Sequence, residues 1–184
     1  LWPGRDGGFA EFVRLSSRSV FHRVPNDIPS HVAALIEPLS IAVHAVDRAM
    51  DAIERMHAKH PNSATTVAVG GCGTIGLCVI ATLRHRFPSG NPQNVRIVGI
   101  DTFQDKPHKL DATRRCGADE CVEVADASSA GWDVYFEAAG HPSSLAQGIK
   151  GQADAAASHI GRVVHRHGDG GTPAVRRTCI ALVF

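Results

Sequence analysis

The stretch Ala64-Thr65-Thr66-Val67-Ala68-Val69-Gly70-Gly71-Cys72-Gly73-Thr74-Ile75-Gly76-Leu77 constrains the fold more than any other. An apolar, β-branched run leads into G-x-G-x-x-G at Gly71, Gly73 and Gly76. The apolar run Leu77-Cys78-Val79-Ile80 follows. The pattern predicts a buried strand, a tight turn and a helix start. The first turn of a helix leaves backbone N–H groups unpaired, with roughly half a positive charge at that end. A pyrophosphate satisfies both, provided the backbone comes close. Gly71 permits the turn, Gly73 presents no Cβ to the phosphates, and Gly76 allows close packing of helix on strand. Thr74 and Ile75 complete the candidate cradle. The competing reading is a glycine-rich turn in some other α/β domain.

Asp101 ends the next apolar run, Val95-Arg96-Ile97-Val98-Gly99-Ile100. A carboxylate there accepts hydrogen bonds from adenosine ribose hydroxyls. It also repels a 2′-phosphate, by on the order of 4 kcal/mol for unit charges about 4 Å apart at an effective dielectric near 20. That favours NAD over NADP. An aspartate opening a turn would look the same. Lys106 and Lys109 follow in the loop and first helical turn; each is placed to reach the ribose or to sit solvated at the surface. The strand Trp132 to Phe136 runs on through Glu137 into Ala138, Ala139 and Gly140. Small residues beyond a strand's carboxyl end leave room for a cofactor, and equally permit close strand–helix packing.

Around these motifs, strands are expected at 65–70, 95–100, 120–124, 132–136 and 161–165, with helices at 74–86, 108–116 and 142–150 or somewhat beyond. This alternation is that of a doubly wound parallel α/β sheet. Upstream, Gly7-Gly8-Phe9-Ala10-Glu11-Phe12-Val13-Arg14-Leu15 alternates with the period of a strand. A short helix over 30–36, capped by Ser30, precedes a longer one from Pro38 to about His57. Pro38 suits the first helical position. Leu39, Ala42, Val46, Ala49, Ile53 and Met56 form its apolar stripe. A last strand is expected within 175–183.

The 184 residues hold one full domain and part of another, and 43% hydrophobic content is enough for a core. A net charge of +1 gives no electrostatic case for nucleic acid or an anionic membrane. No apolar run approaches the roughly twenty residues that span a bilayer. The five cysteines include no C-x-x-C pair and read as reduced thiols of a cytoplasmic protein. His165 and His167 have chelating spacing but no carboxylate or cysteine beside them, so they read as surface residues.

Several segments together resemble the medium-chain dehydrogenase/reductase superfamily, in particular its zinc-dependent alcohol, polyol and threonine dehydrogenases. Gly7 to Val13 is similar to the family's G-G-F-A-E-Y-V strand. Val24-Pro25-Asn26-Asp27-Ile28-Pro29 is similar to its V-P-D-x-I/L-P loop. Ala33-Ala34-Leu35-Ile36-Glu37-Pro38-Leu39 to Ala45 is similar to its A-A-L-x-E-P-L-x-x-x-x-H-A segment. The glycine turn, Cys116-Gly117-Ala118-Asp119-Glu120 and Asp133 to Gly140 follow in order, and the resemblance covers roughly residues 7–165.

The resemblance implies a Rossmann domain over 37–184, incomplete at its end. A remnant of a GroES-like catalytic β domain would precede it over 1–36. It implies NAD as cofactor, a small alcohol or polyol as substrate, and a homo-oligomer at full length. Glu37 would stand beside the catalytic zinc as ligand or through its water, where zinc stabilises an alkoxide during hydride transfer. A carboxylate stabilised by a helix N-terminus is the plainer role. Ser40 and Ile41 would lie near the nicotinamide. The family's zinc cysteine, G-H-E histidine and four-cysteine cluster are not in this sequence, and one ligand cannot hold a catalytic zinc. The expectation is therefore a fragment that binds cofactor. The alternatives are a non-catalytic NAD-binding module and a zinc-free reductase of the same superfamily.

Overall fold

The computed structural model describes residues 10–127 and 131–155, with side chains through Gly151. The chain divides into two units, Leu1–Ala34 and Leu35–Phe184. The expected strands at 161–165 and 175–183, and the two histidines at 165 and 167, lie outside the described residues.

In the first unit, residues 10–29 form turns and extended chain, followed by the short helix α1, Ser30–Ala33. The expected strand is not formed over Ala10–Leu15. Alternation alone does not hold a strand: its N–H and C=O groups need a neighbouring strand, and no strand occurs among the described residues of this unit. Phe12 is 91% exposed. Ser30 does not cap α1 either. Pro29 occupies the cap position, and no side chain bonds the free N–H groups there.

The second unit opens with α2, Ile36–Lys59. It begins two residues before Pro38, which is accommodated because first-turn N–H groups have no helical partner. The first intrahelical bond runs from Leu39 N–H to Leu35 O, 2.9 Å. The apolar stripe is buried from Ala42 to Met56, whereas Leu39, expected within it, is 42% exposed. Burial of the stripe starts one turn later, where α2 joins the core at Ala42.

Four strands and three helices follow, alternating except that β4 comes directly after β3: β1 (Thr65–Gly70), α3 (Thr74–Arg86), β2 (Val95–Asp101), α4 (Pro107–Arg115), β3 (Glu120–Glu123), β4 (Val134–Glu137) and α5 (Pro142–Ala155). The sheet order is β3-β2-β1-β4, and every pairing is parallel. Thr65 pairs with Val95 and Val67 with Val134. Element ends differ from the expectations by a few residues. Helix α1 ends three residues before the expected 36, β4 starts at Val134 because Trp132 precedes the ladder, and α5 runs on beyond 150 to Ala155.

The strands β1, β2 and β4 are buried on both faces, as parallel strands covered by helices must be, whereas the edge strand β3 is only partly buried. On one face Val67, Val69, Val95, Ile97, Val134 and Phe136 pack with α2 and α3. On the other, Ala68, Val98, Ile100, Trp132 and Tyr135 form a second cluster. There α5 lies close because it offers Gly148 to the Tyr135 ring and Gly151 to the Trp132 ring. The indole N–H of Trp132 donates to Gly148 O at 3.0 Å. Each fully buried Val or Ile contributes about 1.5–3 kcal/mol. Among the described residues no helix is long and apolar enough to cross a membrane.

Candidate nucleotide-binding site

Parallel strands of this kind point their carboxyl ends at one edge of the sheet, and ligands bind beyond that edge. A cavity of about 430 Å³ lies there, bounded by the ends of β1, β2 and β4 and the first turns of α5. Such volumes fall in the range of small-molecule sites.

The glycine turn forms its floor. Gly71 has φ +91°, a conformation that side-chain-bearing residues rarely adopt. A Cβ on it would also stand 2.5 Å from Ala139 N. Gly73 is different. It is exposed, its φ is −84°, and a Cβ there would meet nothing within 4 Å. The space above Gly73 is therefore open at the N-terminus of α3, where unpaired N–H groups gather. A Cβ at Gly76 would run into the Gly71 carbonyl oxygen, so Gly76 seats α3 against the turn itself. The N-cap of α3 makes no side-chain hydrogen bond, which leaves the helix end available to an anion.

Asp101 stands at the end of β2. Its Oδ2 accepts the Cys72 N–H at 2.6 Å, and its Oδ1 accepts the Thr102 N–H at 2.6 Å. The Lys109 ammonium lies 2.9 Å from both oxygens. Burial pushes the carboxyl pKa up. The Lys109 bond, the two N–H donors and the Lys109 charge outweigh it, and the net shift is downward. Asp101 is thus an ionised acceptor tied by its own backbone neighbours to the glycine turn. Lys106 donates to the Thr102 hydroxyl at 2.8 Å and does not line the cavity.

Of the residues singled out from sequence, Gly71, Gly73, Asp101, Lys109, Ala138 and Ala139 line the cavity. Thr74, Ile75, Gly76, Gly140 and Ile41 do not. Glu37 is also outside it, exposed on the first turn of α2, with its backbone carbonyl accepting the Ser40 hydroxyl at 2.7 Å. For zinc the donors do not fit: a catalytic ion takes three protein ligands, and among the described residues no three of His, Cys, Asp and Glu come together. The four cysteines among the described residues offer little reactivity. Burial raises the Cys72 thiol to about 12, and Cys78, Cys116 and Cys121 are raised as well, again chiefly by burial.

Sequence reasoning missed His141, just before α5, and Ser143, Ser144 and Gln147 on it, which together close the cavity. His141 Nδ1 accepts the Ser143 N–H at 3.2 Å and lies 2.7 Å from its hydroxyl, capping the helix start. Gln147 donates to Val124 O at 2.8 Å across the cavity. The carboxyl-end rule that reached Gly140 would have found this helix start had it been carried one turn further. Glu123 was also missed. Its Oε2 accepts the N–H groups of Phe103 and Gln104 at 2.8 and 3.1 Å, and so holds the loop that follows Asp101.

No family model matches the chain. It is 33% identical over 153 residues to erythritol/L-threitol dehydrogenase of Mycolicibacterium smegmatis, covering 78% of this chain and 37% of that protein. It is 30% identical over 165 residues to L-threonine 3-dehydrogenase of Bacillus licheniformis, covering 84% of this chain and 42% of that protein. The fold is similar to part of galactitol-1-phosphate dehydrogenase from Escherichia coli, with a TM-score of 0.53 at 23% identity over 80% of this chain and 40% of that one. The chain thus spans about two fifths of the length of the curated relatives it matches. Over that part of their length the chain is a homologue of the erythritol/L-threitol and L-threonine 3-dehydrogenases.

Proposed function

We propose that this chain is the NAD-binding part of an oxidoreductase that moves a hydride between a secondary alcohol or polyol and a nicotinamide ring, with zinc assistance in the whole protein. The observation that supports this best is the open space over Gly73, at an uncapped helix N-terminus, in a cavity that ends at an ionised Asp101. Bound NAD supplies the hydride acceptor. The chain's own part is to bind and orient it. The start of α3 at Gly73 and Thr74 offers N–H groups to the pyrophosphate, Asp101 accepts from the adenosine ribose, and Ala138 and Ala139 leave passage beyond β4. Lys109 neutralises part of the Asp101 charge, so exclusion of a 2′-phosphate is weaker than for an isolated carboxylate.

Titration of the purified protein with NADH, followed by nicotinamide fluorescence, tests the reading. Binding is expected, with NADPH weaker by about tenfold, a difference of about 1.4 kcal/mol. Equal affinity for the two would remove Asp101 from the ribose; no binding of either would remove the cofactor. A second reading, a nucleotide-binding module without catalysis, is favoured by the lack of any three clustered metal donors among the described residues. On either reading this chain by itself forms no NADH from alcohols or polyols with zinc added. Turnover would contradict both.

A further inference from the structure

Glu137 closes β4 and is 1% exposed, and none of the roles above uses it. Its Oε1 accepts the N–H groups of Ala139 at 2.9 Å and Gly140 at 2.8 Å. Its Oε2 accepts the Ser144 hydroxyl at 2.5 Å, and Ser144 Oγ lies 2.9 Å from the Tyr135 hydroxyl. A carboxylate buried this deeply is tolerated only when its lone pairs are filled. Here three donors fill them.

The backbone that Glu137 holds is the backbone on which the glycine turn rests. Ala138 N–H donates to Gly70 O at 2.8 Å. Gly71 approaches Ala139 so closely that a Cβ would be 2.5 Å from its nitrogen. The Tyr135 hydroxyl, at the far end of the same network, fills the place a Gly70 side chain would take. One buried carboxylate therefore sets the shape of residues 138–140, and that segment forms the wall behind Gly71.

We infer that Glu137 is a positioning residue of the cofactor cavity, holding the turn after β4 in the form that leaves the nicotinamide half of a dinucleotide its space. This rests on the dinucleotide reading above. Asp101 and Glu137 end strands on opposite sides of β1, so the adenosine half should not depend on Glu137. Loss of the carboxylate frees two N–H groups on the turn and lets it relax into the cavity.

Calorimetric titration of the purified protein and its variants with NADH, and separately with AMP, tests this at a temperature well below each melting point. Glu137→Ala is expected to weaken NADH at least about tenfold and to leave AMP within about twofold. Glu137→Gln keeps an oxygen for the Ala139 and Gly140 N–H groups and should restore NADH to within about threefold of wild type. If the alanine variant does not fold, Glu137→Asp serves: it keeps the charge but is one methylene too short for both N–H groups, and should weaken NADH alone. A variant that lowers NADH and AMP alike, or neither, marks Glu137 as merely structural and overturns the inference. A wild-type protein that binds neither ligand overturns the dinucleotide reading, and this role with it.

Discussion

The segments Thr65–Gly70 and Ala10–Leu15 both carry apolar residues at strand spacing, yet only the first is a strand. Thr65–Gly70 has a parallel neighbour on each side and helices over both faces. Ala10–Leu15 has no strand to pair with among the described residues of its unit, and Phe12, Val13 and Leu15 are exposed. The same kind of pattern becomes structure only where the chain also supplies the groups that satisfy it. Function divides in the same way. Asp101 is held by three donors from its own unit, whereas Glu37 has no clustered metal-binding partners among the described residues.

The largest effect that would sharpen this contrast is Gly71→Val. Its φ of +91° and the contact with Ala139 N leave no place for a side chain. A loss of roughly 2–5 kcal/mol in urea unfolding is expected. A valine tolerated with less than about 1 kcal/mol lost would mean that the two turns do not interlock as described.

Asp101→Asn comes next, with a loss of about 1–2 kcal/mol at neutral pH from the charged hydrogen bonds. The sign of its pH dependence follows from the lowered carboxyl pKa. The stabilisation is present above the ordinary value of 3.8 and is lost as pH falls through the lower folded-state value. Thermal melts from neutral to acid pH should therefore converge for wild type and variant below about pH 4. Parallel curves would mean that the Lys109 pair is absent in solution.

The smallest effect belongs to the other side of the comparison. Phe12→Ser removes a ring that is 91% exposed and should change unfolding free energy by less than about 0.5 kcal/mol. A larger loss would show that this stretch is packed after all.

What could be read from sequence follows the same division. The order of strands and helices from Thr65 to Lys150 was legible because each element carries its own periodicity and its own breakers. Asp101 was legible because its position follows from the glycine turn. Leu39 was misjudged because a helical stripe does not say where along the helix the core begins. Glu137 escaped notice because one carboxylate at the end of an apolar strand looks like a surface residue. Only the fold shows that Ser144 and the Ala139 and Gly140 N–H groups converge on it. Ser30 was a sound capping signal overridden by Pro29.

The central claim is that the glycine turn is open for a phosphate rather than merely tight. Gly73→Val tests it most directly, because its φ of −84° is ordinary and a Cβ there touches nothing within 4 Å. NADH titration of the wild type and this variant, with melting curves of both, should give an unchanged melting temperature and an affinity lower by at least about tenfold. Equal affinity in two equally stable proteins would contradict the account.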